Sequence, residues 1–322
     1  MIGKKRNVGI DILKCIAAII ITNSHMELLY GKYSALATGG AIGDVLFFFC
    51  SGFTLFMSRM TRFDNWYKRR INRIYPTVFA WAIVGAFVLN NHSDMRHTII
   101  HGGGWFVTCI MIYYVVLYFI QKLMMKRLNV AFALCAVICL IWYFLMERPE
   151  DYNMYGDTYF KWGHYFLFML QGAMLGISTR QWEYKFRWDL LKLIGCVVAY
   201  YGIIIYTRQI ASINDFEIVS LIPLLGITFY FYKVCNSDVL KKCYQHKIAG
   251  WCIKFIGGLC LEIYLIQSAL FTDKMNSIFP LNIFIMFVII LIGAYLLRCA
   301  ARIFAQTFKD QEYDWRAVVK MT

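Results

Sequence analysis

Residues 10–30 have the sequence IDILKCIAAIIITNSHMELLY, an apolar run that carries Asp11, Lys14 and His25. A helix needs about 20 mostly apolar residues to cross a bilayer, and this run has that length. Its continuous apolar part ends at Asn23, Ser24 and His25, and no small-residue cleavage site of a signal peptide is present there. We therefore expect it to be retained as the first transmembrane helix.

Further apolar runs follow along the chain and predict an all-α, polytopic membrane helix bundle of about ten spans. The expected spans are Ile10 to Tyr30, Gly40 to Ser58, Ile74 to Leu89, Trp105 to Leu123, Val130 to Met146, Trp162 to Ser178, Leu190 to Tyr206, Phe216 to Val234, Trp251 to Phe271 and Leu281 to Leu297. The chain is 60% hydrophobic and 16% charged, outside the usual range of soluble globular domains. Because it has four prolines and no low-complexity linker, we expect residues 1–322 to form a single domain.

The basic residues lie between the apolar runs and predict the orientation of the chain. With a cytoplasmic N-terminus, six of the 33 Lys and Arg lie in outer loops and the remaining 27 lie on the inner side. The six outer residues are Lys32, Arg96, Arg148, Lys161, Arg208 and Lys274. This asymmetry predicts that both termini are cytoplasmic. It also accounts for the net charge of +14 without a nucleic-acid partner.

The eleven cysteines form no Cys-x-x-Cys pair, and none lies in a predicted outer loop. We therefore expect neither a disulfide framework nor a metal site.

Four ionisable residues stand out inside the predicted spans: Asp11, Lys14, His25 and Glu262. A charged side chain at the bilayer centre costs roughly 2.5–3.5 kcal/mol, so each needs a partner or a wet cavity. On one continuous helix, Lys14 and His25 would share a face and lie about 16 Å apart. Imidazole titrates near neutrality, which makes His25 a candidate general base. Alternatively, Asp11 and Lys14 form an interfacial ion pair and His25 is a hydrogen-bonded packing residue.

A basic cluster, KRRINRIYP at residues 68–76, precedes the third predicted span. Arg70 and Arg73 are three residues apart and are neighbours on a helical face. Pro76 suits the first turn of a helix, so we expect the two guanidinium groups beside a helix N-terminus, where phosphate binds well. The alternative is a stop-transfer cluster in contact with anionic lipid.

The second predicted span contains Ser51 and Gly52, small residues that allow another helix to approach closely. Asp44, near the outer end of this span, is either a catalytic carboxylate or a polar cap.

Together and in this order, these features resemble the acyltransferase type 3 family of bacterial membrane proteins, which O-acylate glycans and some other acceptors. The resemblance is carried by Lys14 with His25, by LFFFCSGF at residues 46–53 and by RINRIYP at residues 70–76. Weaker matches are Trp105-Phe106 and LEIYLIQ at residues 261–267.

Three positions depart from the family pattern. Lys14 stands where many members have arginine, which removes any bidentate contact at this position. Val45 stands where many have aspartate, and Gln267 where many have histidine. No catalytic role is transferred to Val45 or Gln267.

The resemblance implies transfer of an acyl group, most often acetyl, from cytoplasmic acetyl-CoA to a hydroxyl of a cell-surface or lipid-linked glycan. It implies that His25 is catalytic, and that Lys14, Arg70 and Arg73 bind the CoA donor. The expected substrate contacts are Asn23, Ser24, Asp44, Trp105 and Glu262. The acyl transfer also needs donors to the developing oxyanion, for which Asn23, Ser24 and the backbone of residues 102–104 are the candidates.

Such an enzyme is expected to be a multi-pass protein of the bacterial cytoplasmic membrane, in contact with membrane lipid and without a metal. The rival interpretation is a transporter or flippase of a lipid-linked sugar. Transporters are often built from two repeated halves, and the sequence shows no convincing internal symmetry.

Overall fold

The computed structural model describes residues 7–58, 60–88, 95–149 and 152–321, apart from the side chains of residues 211 and 212. These residues form α-helices and short 3-10 segments and contain no strand, which confirms the predicted all-α fold. The helices, numbered in chain order, are α1 Val8–Ser24, α2 Glu27–Tyr30, α3 Gly40–Phe56, α4 Phe63–Phe87, α5 Met95–Ile100, α6 Trp105–Met124, α7 Leu128–Leu145, α8 Lys161–Ile177, α9 Phe186–Gln209, α10 Leu221–Cys235, α11 Asp238–Gln245, α12 Lys247–Gly258, α13 Cys260–Leu270, α14 Leu281–Thr307 and α15 Trp315–Val319. The 3-10 segments are Gly31–Leu36, Met125–Arg127, Ala211–Ser220 and Asn276–Ile278.

Several helical stretches of the described chain are long and apolar enough to cross a membrane. The four that qualify alone are Met95–Leu145, Phe186–Gln209, Ile213–Cys235 and Leu281–Thr307. Two bent pairs, α1 with residues 27–36 and α12 with α13, would raise the number to six if each pair is one span. The chain is therefore a multi-pass membrane protein, while the count of ten spans stays a prediction.

Four predicted spans coincide with observed helices to within two residues at either end: α3, α6, α7 and α8. The third, seventh and tenth spans are single helices that extend beyond the predicted bounds at one end or both, and the remaining three are interrupted or irregular. The first span breaks at His25 with a bend of 64°, the eighth begins as a 3-10 segment, and the ninth breaks at Leu259 with a bend of 73°. The break at Leu259 follows Gly257 and Gly258, and glycine is a poor helix former that often marks a kink.

The chain divides into two compact units. The first unit comprises Met1–Ala17, Ala41–Arg59 and Phe119–Gly250. Within it α9 packs along α10, and α7 packs against α8. The second unit comprises Ala18–Gly40, Met60–Tyr118 and Trp251–Thr322. Within it α14 packs against α4 and α13, and α15 folds back onto α14. The expectation of a single domain over residues 1–322 stays a prediction.

In the first unit, α3 and α8 approach each other through glycines on both helices. A Cβ atom at Gly52 would overlap the carbonyl oxygen of Met169, and one at Gly172 would overlap that of Phe49. A Cβ atom at Gly176 would lie 2.7 Å from the carbonyl oxygen of Phe53, a less severe overlap. The close approach predicted from Ser51 and Gly52 is therefore confirmed.

Ion pairs with buried carboxylates also join elements of the first unit. Lys233 Nζ lies 2.6 Å from a carboxylate oxygen of the buried Asp189 and joins α10 to α9. Arg208 lies 2.8 Å from Glu217, whose side chain is fully buried and also accepts a hydrogen bond from the Met154 N–H at 3.0 Å. Glu217 lies inside a predicted span and was not among the ionisable residues singled out from the sequence.

We predict that Gly52→Ala lowers the free energy of unfolding by about 1–3 kcal/mol, because the methyl group meets a backbone oxygen that cannot move aside. Gly202→Ala in α9 is the matched control, since its Cβ meets no atom within 4 Å. Thermal unfolding in detergent measures both variants. Equal midpoints for the two variants would contradict the close contact of α3 and α8.

Candidate active site

His25 lies in the turn immediately after α1, at the 64° bend that separates α1 from α2. Its backbone N–H donates to the Thr22 carbonyl at 3.2 Å, an i to i−3 bond that tightens the last turn. The prediction that His25 lies within the first helix is therefore wrong. Because His25 lies outside the helix, helical periodicity no longer supports a common face for His25 and Lys14. The His25 side chain is exposed and has no hydrogen-bond partner in the described chain.

The loop that follows His25 is fastened to the end of α1 by Asn23. The Asn23 Nδ2 group donates to the carbonyl oxygens of Leu36 at 2.9 Å and Thr38 at 3.1 Å. Its Oδ1 accepts a hydrogen bond from the Tyr30 hydroxyl at 2.6 Å. Both amide hydrogens of Asn23 are therefore used to hold the loop, so Asn23 shapes the surroundings of His25.

Two further asparagines hold the same loop, Asn276 in the 3-10 segment before α14 and Asn282 in the first turn of α14. Asn276 Nδ2 donates to the Leu28 carbonyl at 2.9 Å, and the fully buried Asn282 donates to the Leu29 carbonyl at 2.8 Å. His25 thus lies at the start of a loop that hydrogen bonds fix at both ends. A fixed backbone restricts the positions open to the imidazole.

Other predicted oxyanion donors are occupied in the structure. The Ser24 hydroxyl donates to the Ile21 carbonyl of its own helix at 2.8 Å. The N–H groups of Gly103 and Gly104 donate to the carbonyls of residues 98 and 101 at 2.9 and 3.0 Å. None of these three donors is free to bind a substrate oxygen in this arrangement.

Trp105 begins α6, directly after three glycines with positive φ angles of 62°, 81° and 156°. A Cβ at Gly104 would overlap the hydroxyl of Tyr264 in α13, so the turn requires glycine for space as well as for conformation. The ring of Phe106 lies 5.7 Å from that of Tyr264. The start of α6 is therefore held beside α13.

Glu262, in the first turn of α13, forms a buried ion pair with Arg298 of α14. Arg298 Nη2 lies 3.0 Å from Oε2 and Nε lies 3.3 Å from Oε1, so both carboxylate oxygens are engaged. Arg298 also donates to the Gly258 carbonyl. Glu262 thus has the partner that its burial requires, and the pair joins two helices. Arg298 lies one residue beyond the predicted end of the last span, so the sequence did not single it out.

The basic cluster lies inside a helix. Because α4 begins at Phe63, Arg70 and Arg73 are interior residues and Pro76 is thirteen residues past the start. The predicted helix N-terminus at residue 74 is therefore wrong, and a helix terminus plays no part in anion binding there. Asp64 in the first turn suits the positive end of the helix dipole and explains why α4 starts early.

Arg70 and Arg73 differ in their surroundings. Arg73 is exposed, whereas Arg70 is partly buried with its guanidinium carbon 4.6 Å from the centroid of the Trp66 ring. The Nε and Nη2 atoms of Arg70 are buried and have no hydrogen-bond acceptor in the described chain. Unsatisfied buried donors on a cation are costly, so this guanidinium is suited to an anionic ligand.

Lys14 and Asp44, the remaining predicted site residues, belong to the first unit, whereas His25, Arg70 and Arg73 belong to the second. Lys14 lies in α1 and Asp44 in the second turn of α3. One turn before Lys14, Asp11 accepts a hydrogen bond from the Tyr244 hydroxyl at 3.1 Å.

The model of the acyltransferase type 3 family, described as "Acyltransferase domain", matches residues 7–299. The chain belongs to this family. No curated protein and no solved structure matches it. The match confirms the resemblance seen in the sequence and extends from the start of α1 into α14, so it covers all the site residues discussed above.

In this acyltransferase we expect Glu262→Leu to lower the free energy of unfolding by roughly 3–5 kcal/mol, because it leaves the buried Arg298 cation without its partner. The double variant Glu262→Leu/Arg298→Leu should regain most of that loss. Thermal unfolding of the two variants measures the difference. A stable single variant with impaired acceptor binding would instead assign Glu262 to the substrate.

Proposed function

We propose that this acyltransferase is an O-acyltransferase that moves an acetyl group from cytoplasmic acetyl-CoA to a hydroxyl of a cell-surface or lipid-linked glycan. In this proposal it lies in the bacterial cytoplasmic membrane with about ten spans and both termini in the cytoplasm. The observation that carries the proposal is that one compact unit of a family member holds an exposed imidazole and a partly buried guanidinium for which the described residues supply no hydrogen-bond partner at the imidazole, Nε or Nη2.

The donor end of the proposed site is formed by Arg70, with Arg73 nearby on the same helix. The CoA moiety carries several phosphate groups, and guanidinium groups bind phosphate with charge-assisted, bidentate hydrogen bonds. In this proposal the arginines lie on the cytoplasmic side, as the positive-inside pattern predicts, where they meet cytoplasmic acetyl-CoA. Lys14 is a further candidate for the donor, as a point charge without the planar fork of arginine.

The chemical step is assigned to His25. One imidazole nitrogen accepts the proton of the acceptor hydroxyl while the hydroxyl oxygen attacks the carbonyl carbon of the thioester. The new C–O bond forms, the C–S bond breaks, and the departing CoA sulfur takes the proton from the imidazolium. The ring is free for this role, because no described side chain engages it.

The acceptor is proposed to contact Trp105 at the start of α6. An indole offers a flat apolar face and an N–H donor, and a sugar presents both apolar C–H groups and hydroxyl oxygens. Asn23 and Ser24 contribute by fixing the backbone on either side of the helix end, since their donor groups are already engaged.

We predict that His25→Ala remains folded but loses acetyl transfer by about 10²–10⁴-fold, the usual contribution of a general base. The exposed side chain predicts an unchanged unfolding midpoint. The assay incubates purified protein with acetyl-labelled CoA and candidate glycans, and follows free CoA and labelled sugar. His97→Ala, at another exposed histidine, is the control. Near-native turnover of His25→Ala would remove His25 from the mechanism.

We also predict that Arg70→Ala raises the KM for acetyl-CoA by roughly 10–100-fold, the equivalent of a lost hydrogen bond to a charged group, with a smaller change in kcat. Arg73→Ala should have a smaller effect because Arg73 is exposed. Arg69→Ala is the control, since Arg69 donates to the Thr61 hydroxyl at 2.7 Å. An unchanged KM for acetyl-CoA in Arg70→Ala would contradict this role and favour the alternative, in which the basic cluster at residues 68–76 contacts anionic lipid.

A further inference from the structure

Trp66 lies one helical turn before Arg70 in α4, and its side chain is fully buried. Its ring lies beneath the Arg70 guanidinium, with 4.6 Å between the guanidinium carbon and the ring centroid. The Trp66 Nε1–H has no hydrogen-bond acceptor in the described chain, and neither do Nε and Nη2 of Arg70. Three buried donors without an acceptor therefore lie together on one turn of α4.

The chemistry of these donors restricts the ligand. Indole and guanidinium groups donate hydrogen bonds and accept none, so they need an acceptor. Each buried donor left unsatisfied costs about 1–3 kcal/mol, and more when the group is charged. An anion with several oxygen atoms offers the acceptors that such donors need.

Trp66 is held in place by aromatic contacts with α6. Tyr114 packs edge-on against the indole with 6.2 Å between ring centroids, and Tyr118 does so at 5.5 Å. The Tyr118 hydroxyl donates to the Thr61 carbonyl at 3.1 Å, which fixes this ring in turn. The indole N–H is therefore positioned before any ligand arrives, and a preorganised donor binds at a smaller entropic cost.

We propose that the Trp66 Nε1–H and the Arg70 guanidinium together bind one phosphoryl group of the CoA donor. This inference rests on the proposed function and adds Trp66 to its binding residues. The phosphoryl oxygens accept from the indole and from the inner edge of the guanidinium. The exposed Arg73 is left to contact the more solvated part of the donor.

The test measures the affinity of the purified full-length protein for CoA and for pantetheine, which lacks the phosphates, by calorimetry in neutral detergent. Trp66→Phe keeps an aromatic ring but removes the N–H donor. We expect it to weaken CoA binding roughly tenfold, the effect of one hydrogen bond to a charged group, and to leave pantetheine binding unchanged.

Trp182→Phe is the matched control. The Trp182 ring also lies beneath a guanidinium, that of Arg180 at 4.3 Å, and its Nε1 also lacks a partner in the described chain. Arg180, however, is exposed, so its donors can bind water. CoA affinity should not change in this variant.

A second measurement covers the case in which Trp66→Phe does not fold. In the wild-type protein with ¹⁵N-labelled indoles, saturating CoA should shift one indole N–H resonance downfield, and pantetheine should not. The same shift should be lost in Arg70→Ala. No indole shift at saturating CoA would overturn the inference.

The remaining outcomes separate this inference from the proposed function. CoA affinity that falls in Arg70→Ala but not in folded Trp66→Phe overturns the role of Trp66 alone. Absence of CoA binding to the wild-type protein overturns both. If phosphatidylglycerol in nanodiscs is the ligand that Trp66→Phe loses, the phosphoryl group belongs to a lipid headgroup and the assignment to CoA is wrong.

Discussion

The structure depends on the cost of leaving a polar group without a partner inside a bilayer, where water is not available to replace it. Buried charges in both units meet this requirement with a charge on a neighbouring element: Lys233 with Asp189 at 2.6 Å, Arg208 with Glu217 at 2.8 Å, and Arg298 with Glu262 at 3.0 Å. Each pair joins two elements, so the charges gain their partners only when those elements pack together.

The same constraint makes the exceptions informative. Within the described part of the second unit, the stacked pair of Trp66 and Arg70 holds buried donors without acceptors. His25 differs, because its unpartnered imidazole is exposed and carries no such cost. The surroundings of both places are well fastened, by Asn23 and Asn282 around His25 and by aromatic rings around Trp66. A binding site requires donor groups that the surrounding contacts hold in position. The free energy of those contacts offsets the cost of leaving the donors unsatisfied until a ligand binds.

The sequence was sufficient to predict helices whose position depends only on the length and composition of an apolar run. The helices α3, α6, α7 and α8 were predicted closely because an apolar run of the right length leaves few other structures in a membrane. The sequence-based prediction failed where the end of a helix depends on contacts between residues distant in sequence. The break at His25 depends on a side chain that bonds to carbonyls thirteen and fifteen residues later, and no local pattern shows that bond.

The candidate site divides in the same way. His25 and Arg70 could be proposed from the sequence, because ionisable residues in or beside apolar runs are visible there. Trp66 was missed, because an unsatisfied indole N–H is a property of the folded chain and a tryptophan near a membrane interface is ordinary. Glu262 was noticed but its role was not, since its partner Arg298 lies on another helix.

The most direct test of the account is an experimental structure of the acyltransferase with bound CoA, in which the position of the CoA sulfur relative to His25 is measured. The account predicts phosphoryl oxygens against Arg70 and Trp66, and the sulfur within hydrogen-bond reach of the imidazole, directly or through one water. A CoA molecule whose phosphates lie away from α4, or an imidazole that faces lipid with the sulfur elsewhere, would contradict it.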